Sequence, residues 1–436
     1  MKKILLLATF FAIQLSSFAQ TADSVSMLPG TVLDVYYNFS TGNKDTVRNN
    51  NWHIAFATRK AMPPLKTMQA VSIRINEGRS VEIFKSNTLI SSWSSFDTAG
   101  WMAWPTFYNS DSSWDIGALN QERNITNPYD YGWGQYNQTS HNVEGNNIWL
   151  IAITTSPVPG APKTLKRLAV QKCVYDTQWV FILSNVDGTD STTMVINKAA
   201  YNGKMFAYVD VLSKTVIDRE PMMNSWDILF TRYKTLVTLF GQTVMYPVMG
   251  ILHNPAVTTA KLIAPGAKTT APSTSLVFKE NNTQIGWDWK YITTSPGAWP
   301  VKDSLAYFVK LSATNYWSLS FNAYFADASV QYIKFNKKQY TTLTGVEQNA
   351  KTVSAMIVYP NPATDLIHVN GVFNNHVNKL NLSVIDITGR EVLTQNYTDV
   401  NGEFSASIAT QSLKSGLYFV SISADGAMNS KKLIIE

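Results

Sequence analysis

The sequence holds few residues whose type and spacing could support catalysis. The only cysteine, Cys173, lies in an apolar run, and a lone cysteine allows no disulfide within the chain. HExxH, GxSxG, P-loop and CxxC motifs, typical of metal, acyl-transfer, nucleotide and redox chemistry, do not occur in the sequence. Asp111 and Asp115 could form a glycosidase acid pair, but DSSWD is also typical of a hairpin turn. We therefore expect no enzyme activity, no catalytic residue, no metal site and no cofactor.

A group of tryptophans offers a different kind of candidate site. Most of them fall in a polar insertion, Ser91 to Tyr131, and the group consists of Trp93, Trp101, Trp104, Trp114 and Trp133. Aromatic side chains beside amides and hydroxyls stack on sugars or form protein interfaces. The alternative is that they fill the core or cover the insertion, because large aromatic residues are usually buried. The sequence predicts them as candidate ligand-binding aromatics.

Antiparallel strands are the elements that must position these residues. Runs rich in Val, Ile, Tyr, Phe, Trp and Thr are separated by Asn-Gly, Asp-Gly, Pro-Gly and Ser-Asn turns. Only Thr258 to Ala264 could form a turn of helix. The chain is therefore predicted to be all-β.

The body of the chain contains an internal repeat. Val35 to Arg59 and Phe206 to Arg232 each contain a strand, a polar hairpin, a second strand and a Trp-x-Ile-x-Phe strand, which pairs Trp52 with Trp226, Ile54 with Ile228 and Phe56 with Phe230. We expect two tandem sandwich-like modules, residues 20–200 and 201–340. Large residues two apart share one face of a strand. Each tryptophan should therefore pack in its own module's core, against the strands around Ile151 or Phe308.

The N-terminal segment has the pattern of an export signal. Lys2 and Lys3 precede an apolar run from Ile4 to Leu15, and small residues stand at Ser17 and Ala19. A charged start, a short apolar region and small residues at the cleavage site are typical of a secretory signal peptide. The run is too short to span a bilayer as a helix. Residues 1–19 are predicted to be a signal peptide, and no transmembrane segment is expected.

The C-terminal segment carries four short motifs in order, and they resemble a sorting domain. They are Tyr359-Pro360-Asn361-Pro362, Asp386-Ile387-Thr388-Gly389-Arg390, Ser415-Gly416-Leu417-Tyr418 and Lys431-Lys432-Leu433-Ile434-Ile435. This pattern resembles the type A C-terminal sorting domain of the type IX secretion system of Bacteroidetes. Period-two alternation between turn residues predicts a small antiparallel β-sandwich over residues 355–436. Residues 341–354 are polar and are interpreted as a linker.

The body resembles the HmuY family of Bacteroidetes, all-β proteins whose best-known members bind haem. The resemblance rests on Ser225 to Phe230, on the strand Phe206 to Asp210, and on Ile285 to Lys290 with Ala306 to Lys310. Haem ligation in this family uses a pair of histidines. The histidines of the body are His53, His141 and His253. A pair of His141 and His253 is conceivable, but none of the three lies on a recognised ligand position, so we expect weak haem binding or none.

Charge and motifs together favour a binding protein outside the cell. The net charge of +6 includes no long run of Lys or Arg, so no nucleic-acid partner is indicated. We expect a protein secreted or held on the outer cell surface, which passes through the periplasm and has the type IX machinery as a partner. Its function is interpreted as non-enzymatic capture of an unknown extracellular ligand, such as a haem-like small molecule. The alternative is a glycan- or protein-binding adhesion module that uses the Trp-rich insertion, residues 91–131.

Overall fold

The structure is a computed structural model of the full chain. It describes residues 20–59, 71–156, 158, 160–174, 176–239, 241–291, 298–341, 353–373, 376–425 and 427–436. The predicted signal peptide and residues 342–352 of the predicted linker lie outside the described residues. The regular secondary structure of the described residues is mainly antiparallel strand, which confirms the all-β prediction. It divides into two compact units, a body (Met1–Thr270 and Val277–Thr342) and a C-terminal unit (Leu343–Glu436 with Ala271–Leu276).

The strands of the body are β1 (Thr21–Ser26), β2 (Leu33–Tyr37), β3 (Lys44–Arg48), β4 (Ile54–Ala57), β5 (Ile73–Ile75), β6 (Val81–Leu89), β7 (Thr106–Phe107), β8 (Gly134–Tyr136), β9 (Val143–Gly145), β10 (Asn147–Ile153), β11 (Thr164–Val174), β12 (Gln178–Asn185), β13 (Thr192–Asn197), β14 (Phe206–Asp210), β15 (Thr215–Ile217), β16 (Ile228–Leu239), β17 (Gln242–His253), β18 (Thr258–Ile263), β19 (Ala298–Trp299), β20 (Leu305–Ser312), β21 (Asn315–Ala326) and β22 (Gln331–Tyr340). Short 3₁₀ helices connect them at Pro29–Thr31, Glu77–Arg79, Ile90–Ser95, Trp101–Ala103, Ala118–Asn120, Lys198–Tyr201, Met223–Ser225 and Ala267–Thr269. The predicted helical turn at Thr258 is wrong, because this segment is strand β18.

Lobe 1 is a two-sheet sandwich formed by β4 to β15, residues 54–217. One sheet has the order β13-β12-β11-β10-β6-β7, with β8 and β9 attached, and the other has the order β15-β14-β4-β5. Ile54 and Phe56 point from β4 into the core between these sheets, as period-two alternation requires. Phe56 stacks on Phe181 with ring centroids 4.5 Å apart.

Lobe 2 is a second sandwich with the same arrangement. Its sheets have the orders β1-β22-β21-β20-β18, with β19 attached, and β17-β16-β2-β3. Its core contains Ile228 and Phe230 of β16, together with Tyr37, Tyr307 and Phe335. Position by position, β3-β2-β16-β17 of lobe 2 corresponds to β15-β14-β4-β5 of lobe 1.

The predicted module boundary at residue 200 does not separate the two sandwiches. Strands β14 and β15 lie beyond that boundary, yet they complete lobe 1 through the pairs β14 with β4 and β15 with β14. The N-terminal strands β1 to β3 complete lobe 2 instead, through β1 with β22 and β2 with β16. The repeat is therefore permuted in space. Residues 21–48 belong with residues 228–340.

The two hairpin-bearing sheets face each other across a third apolar layer. This central layer contains Tyr36 of β2, Tyr208 of β14, Leu229 of β16 and the indoles of Trp52 and Trp226. Trp52 meets Tyr208 edge-on at 4.9 Å, and Trp226 meets Tyr36 edge-on at 5.0 Å. The two tryptophans are thus equivalent, as the repeat predicts. Their expected packing inside each module's core is wrong, because both precede the strand start and the period-two rule does not extend to them.

The repeat extends to single hydrogen bonds. His53 Nδ1 accepts the backbone N–H of Val211 at 3.1 Å, and Asp227 Oδ2 accepts the backbone N–H of Phe39 at 2.7 Å. Val211 and Phe39 hold matching places just after β14 and β2. His53 also lies 3.1 Å from Asp210 Oδ1, and burial lowers the pKa of its imidazole. In each lobe, a side chain just before β4 or β16 therefore accepts a hydrogen bond from the hairpin that the other repeat contributes, β14–β15 or β2–β3.

The C-terminal unit is a small antiparallel sandwich. Its strands are β23 (Val353–Tyr359), β24 (Leu366–Phe373), β25 (Val377–Asp386), β26 (Glu391–Val400), β27 (Glu403–Ala409), β28 (Gly416–Ala424) and β29 (Ala427–Ile435). They form the sheets β23-β24-β27 and β26-β25-β28-β29. Alternate residues such as Ile367, Val369, Leu382 and Ile422 are buried between them, which matches the predicted pattern.

Candidate ligand-binding pocket

The five predicted tryptophans do not form one site. Trp133 is 1% exposed in the lobe 1 core and donates its indole N–H to the Val71 carbonyl at 2.9 Å. Trp114 belongs to the central layer and donates to the His253 carbonyl at 2.9 Å. Trp93, Trp101 and Trp104 are half-buried together on the outer face of the larger lobe 1 sheet. Two of the five residues are therefore structural.

Those three outer tryptophans cover the apolar residues of that sheet face. The guanidinium of Arg167 lies 3.8 Å from the centre of the Trp93 ring and donates to the Trp93 carbonyl at 2.7 Å. Trp101 meets Phe84 edge-on at 5.2 Å. Met102, between Trp101 and Trp104, is 81% exposed. This outer-face group, Trp93 with Trp101 to Trp104, is the part of the insertion that reaches solvent.

The insertion is fixed to the body by two arginines. Arg74 donates to the carbonyls of Ser110 and Ser113, both at 2.9 Å, and its guanidinium lies 5.3 Å from the Trp114 ring centre. Arg59 pairs with Asp115 at 2.8 Å. Burial lowers the pKa of Arg74 to about 10. Arg74 and Arg59 thus attach residues 109–117 of the insertion to the rest of the body.

The acids considered for glycosidase chemistry have separate structural partners. Asp115 pairs with Arg59. Asp111 accepts the hydroxyl of Thr235 on β16 at 2.5 Å. Each carboxylate therefore connects the insertion to a different strand of the body.

The histidines considered for haem are in dissimilar environments. His253 is fully buried, with Nδ1 2.9 Å from the Asn254 carbonyl and Nε2 2.7 Å from the Asn281 carbonyl. Burial lowers the pKa of its imidazole. His141 is exposed in a lobe 1 loop, and its Nδ1 lies 2.7 Å from the Tyr136 hydroxyl. Because both ring nitrogens of His253 face backbone carbonyls inside the core, neither is open to an axial bond to iron.

A small polar cavity lies within the central layer between the lobes. It encloses about 70 Å³, room for a few waters. Arg219 donates to Asp34 at 2.6 Å beside it, and Thr231 donates to the same carboxylate at 2.7 Å. Glu220 accepts the Tyr208 hydroxyl at 2.7 Å, and burial raises its pKa to about 7. These groups satisfy one another across the lobe interface, and the cavity is too small for an organic ligand.

A larger cavity of about 530 Å³ adjoins the long β16–β17 hairpin, and we call it the hairpin pocket. Its lining is mainly apolar and aromatic. It consists of Thr31, Arg232, Val237, Thr238, Leu239, Tyr246, Pro247, Val248, Met249, Trp287, Asp288, Lys290, Tyr291, Trp299, Lys302 and Tyr324. A volume of several hundred Å³ with aromatic walls and a few polar groups is typical of small-molecule sites. A second cavity of about 390 Å³ lies near the same hairpin, between Leu236, Met245 and the segment Thr106–Asp111.

A buried lysine forms part of the hairpin pocket. Lys290 is 5% exposed, and its Nζ donates to the Met249 carbonyl at 2.7 Å and to the Trp287 carbonyl at 3.2 Å. It also lies 4.9 Å from the ring centre of Tyr324. Burial lowers its pKa to about 7, and Asp288 partly offsets this effect. The ammonium thus joins β17 to the Trp287–Lys290 segment and can carry charge near neutral pH.

Sequence reasoning missed this pocket, although part of its signal was visible. In the sequence, the segment Trp287-Asp288-Trp289-Lys290-Tyr291 contributes to the family resemblance, through Ile285 to Lys290. Its cluster of aromatic and charged residues also marks a site. The other wall depends on the length of the β16–β17 hairpin, which is set by a pairing of 12 residues on each strand.

The described residues contain no group of three or more His, Cys, Asp or Glu side chains placed to hold a metal ion. No helix in the described ranges has both the length and the apolar character needed to cross a membrane.

The C-terminal motifs hold the small sandwich together. Asn361 of the Tyr-Pro-Asn-Pro motif donates to the Lys432 carbonyl at 2.8 Å and accepts the Ile434 N–H at 2.9 Å, which binds this motif to β29. Asp386 accepts from the backbone and hydroxyl of Thr388 and from the backbone N–H of Arg390. These bonds close the turn between β25 and β26, where Gly389 has φ of 88°. The hydrogen bond from the Thr388 hydroxyl contributes most to lowering the pKa of Asp386 to about 2.

Comparison with known proteins gives one clear result and one weak one. No curated protein matches the sequence. The crystal structure of dimeric latent PorU from Porphyromonas gingivalis matches 84% of this chain and 31% of its own, so this chain spans about a third of that protein. The identity is 9% and the TM-score is 0.16, and at these values no conclusion about this chain follows.

Residues 357–436 match the family described as secretion system C-terminal sorting domain. The match covers the four motifs and almost all of the C-terminal sandwich. It confirms the sorting-domain prediction and implies an interaction with the type IX secretion machinery. The chain is therefore a protein exported by the type IX secretion system to the cell surface or the extracellular space.

Proposed function

We propose that the body is a non-enzymatic binding module that captures a small molecule outside the cell. The observation that carries this proposal is the hairpin pocket, whose size and aromatic lining suit an organic ligand. Export to the outside is consistent with this role, because a sorted protein meets ligands of the medium.

The test uses the full exported chain and a pocket-filling variant. Trp287 and Trp299 line the pocket, so bound ligands should change tryptophan fluorescence and raise the melting temperature. Thr238 is exposed on the pocket wall, and Thr238→Trp should abolish these responses without affecting the core. A panel of small molecules that gives no response in the wild type, or equal responses in both proteins, would contradict the proposal.

Haem belongs in that panel as a specific case. The body resembles the HmuY family, but both ring nitrogens of His253 face buried backbone carbonyls, and His141 lies in an exposed loop. Axial ligation needs a donor held at fixed geometry. Haemin should therefore give no strong Soret shift, and a shift that is lost in His141→Ala would overturn this expectation.

A second candidate function is adhesion through the outer-face group. Its supporting observation is Met102, which is 81% exposed between two half-buried tryptophans. A glycan array or cell-surface binding assay would test it. Trp101→Ala combined with Trp104→Ala should abolish binding if this surface is the adhesive one, whereas Thr238→Trp should have no effect.

We further propose that the sorting domain is removed or modified during export. Mass spectrometry of the released protein should show loss of residues beyond about Ser354. An intact Glu436 on secreted material would contradict it. Deleting Lys431–Glu436 removes Leu433 and Ile435 from the sandwich core and should leave the protein in the periplasm.

A further inference from the structure

The hairpin pocket carries more positive than negative charge. Its lining includes the cations Arg232, Lys290 and Lys302 and a single carboxylate, Asp288. Asp288 is already engaged, since its Oδ2 lies 2.7 Å from Lys261 and 4.0 Å from Lys302. Protein carboxylates therefore leave the charge of the pocket incompletely balanced.

Arg232 is the pocket cation whose side chain has the fewest bonded partners among the described residues. It is half-buried on β16, and within the described residues no acceptor or carboxylate is bonded to its guanidinium. Arg79 is close to Arg232, because the neighbouring Gly78 packs directly against the Arg232 backbone. Burial, and then repulsion from Arg232, lower the pKa of Arg79. Arg79 is bonded to Asn49 and to the Thr31 carbonyl. A half-buried guanidinium with five unshared donors is a ready partner for an acid.

Lys290 adds a second donor to the same region. It uses two of its three ammonium hydrogens on the Met249 and Trp287 carbonyls. The charge of Arg232 acts to lower the pKa of Tyr324, and the Lys290 ammonium lies 4.9 Å from the centre of that ring. Both cations are therefore close to Tyr324, beside the apolar walls formed by Met249 and Trp299.

We propose that the hairpin pocket binds small amphipathic organic anions, with the apolar body against its aromatic walls and the acid group on Arg232. This inference rests on the proposed function of the same pocket and adds the ligand class. The acid can be a carboxylate, sulfate or phosphate, since each offers oxygens to a guanidinium fork. The aromatic residues select the shape of the ligand's apolar body, and Arg232 selects a ligand with a negatively charged group.

The experiment uses two fluorescent probes that differ only in charge. One is 8-anilinonaphthalene-1-sulfonate, and the other is N-phenyl-1-naphthylamine, the same ring system without the sulfonate. Both are titrated into the full exported chain. The sulfonate should bind about tenfold more tightly, the effect of one charge-assisted contact. Carboxylate and phosphate analogues then compete with the bound sulfonate and rank the acid groups.

Substitutions at two positions on the same face of β16 distinguish loss of the pocket charge from a general effect on the fold. Arg232→Gln should reduce sulfonate affinity about tenfold and leave the neutral probe unchanged. Lys234→Gln, two residues along β16, removes the same charge from a side chain outside the pocket and should change neither probe. Arg232→Lys should restore part of the sulfonate affinity. Circular dichroism confirms that each variant is folded.

The outcomes distinguish the two levels of the proposal. If neither probe binds, or if Thr238→Trp leaves both probes bound, the pocket is not the site and the proposed function fails. If both probes bind in the pocket equally, or Arg232→Gln does not change the sulfonate affinity, the ligand class is wrong while the proposed function remains. Equal loss of both probes in a folded Arg232→Gln variant would also contradict the assignment of the acid to Arg232, because the neutral probe has no acid group for the guanidinium to bind.

Discussion

The two lobes have the same strand order but differ in one hairpin. In lobe 1, β4 and β5 have four and three residues. Their counterparts in lobe 2, β16 and β17, have 12 residues each. The hairpin pocket lies along this extra length, since Val237, Leu239 and Tyr246 belong to it. The comparison teaches that the shared sandwich supplies the scaffold, whereas a local elongation supplies the candidate site.

The lobe interface shows the opposite relation, because it is built from matching residues. Trp52 with Tyr208 and Trp226 with Tyr36 are equivalent pairs in the central layer. They differ in burial, since Trp226 is 2% exposed and Trp52 is half-buried. Substitutions at the lobe interface test how far the two positions are equivalent in energy.

Trp226→Ala should give the largest effect. Removing a fully buried indole from the central layer should lower the free energy of unfolding by about 3–5 kcal/mol. Trp52→Ala should cost about 2 kcal/mol, because Trp52 is only half-buried and its buried indole N–H has no partner among the described residues. Scanning calorimetry on the full chain measures both, read on the transition of the body. Equal losses would show that the two positions are energetically identical.

Arg219→Met should follow in size. It removes the buried ion pair with Asp34, but that carboxylate keeps the Thr231 hydroxyl at 2.7 Å and the Asn49 amide at 3.1 Å. The expected loss is about 2–3 kcal/mol, as for a hydrogen bond to a charged group. Asp34→Asn with Arg219→Met should recover part of it, and a double-mutant cycle from thermal unfolding checks this. Additive losses would mean that the pair does not couple the lobes.

Glu77→Gln should change the pH dependence of stability. Glu77 accepts the N–H groups of Asn109 and of Lys234 on β16, and burial raises its pKa to about 7 despite these bonds and Arg74. An acid with a raised pKa holds more protons when folded, so stability falls as pH rises from about 4.5 to 7. The wild type should lose about 2.5 kcal/mol through this group over that window. Melting temperatures at pH 5 and pH 7 should differ less in Glu77→Gln.

Substitutions of His53 should have the smallest effect. His53→Asn can still accept the Val211 N–H, much as Asp227 accepts that of Phe39, so the cost should stay below about 1 kcal/mol. His53→Asp copies the other lobe but places a carboxylate beside Asp210, so it should melt below His53→Asn. The reverse order of melting temperatures would mean that Asp210 moves away.

Local patterns predicted much of the fold. Alternation correctly placed Ile54, Phe56, Ile228 and Phe230 in the cores, and the C-terminal motifs correctly marked a sandwich with a sorting role. Alternation alone could not show which strands pair across long distances, because β1 or β14 could bury its apolar face in either lobe. The sequence therefore predicts a module boundary at residue 200, although β14 and β15 beyond it belong to lobe 1.

The candidate site was harder to predict than the fold. A cluster of tryptophans drew attention to the insertion, but Trp114 and Trp133 are structural. Arg232 has no sequence signature, because its importance comes from its lack of a bonded partner among the residues that the structure describes. Lys290 reads as a surface lysine until its burial at 5% exposure is known. The resemblance of the body to the HmuY family stays a prediction.

The return of the N-terminal strand to lobe 2 has a consequence for how the chain folds. The hydroxyl of Thr21 bonds to the carbonyl of Lys337, 316 positions away. Such a high contact order slows folding, because distant segments must meet before their contacts form. Lobe 1 is continuous from β4 to β15 and can close as soon as that stretch is available. Lobe 2 must wait for β22, and until then its unpaired strands are edges open to misassembly. The first strand of the body can therefore pair only after the last strand of the body is available.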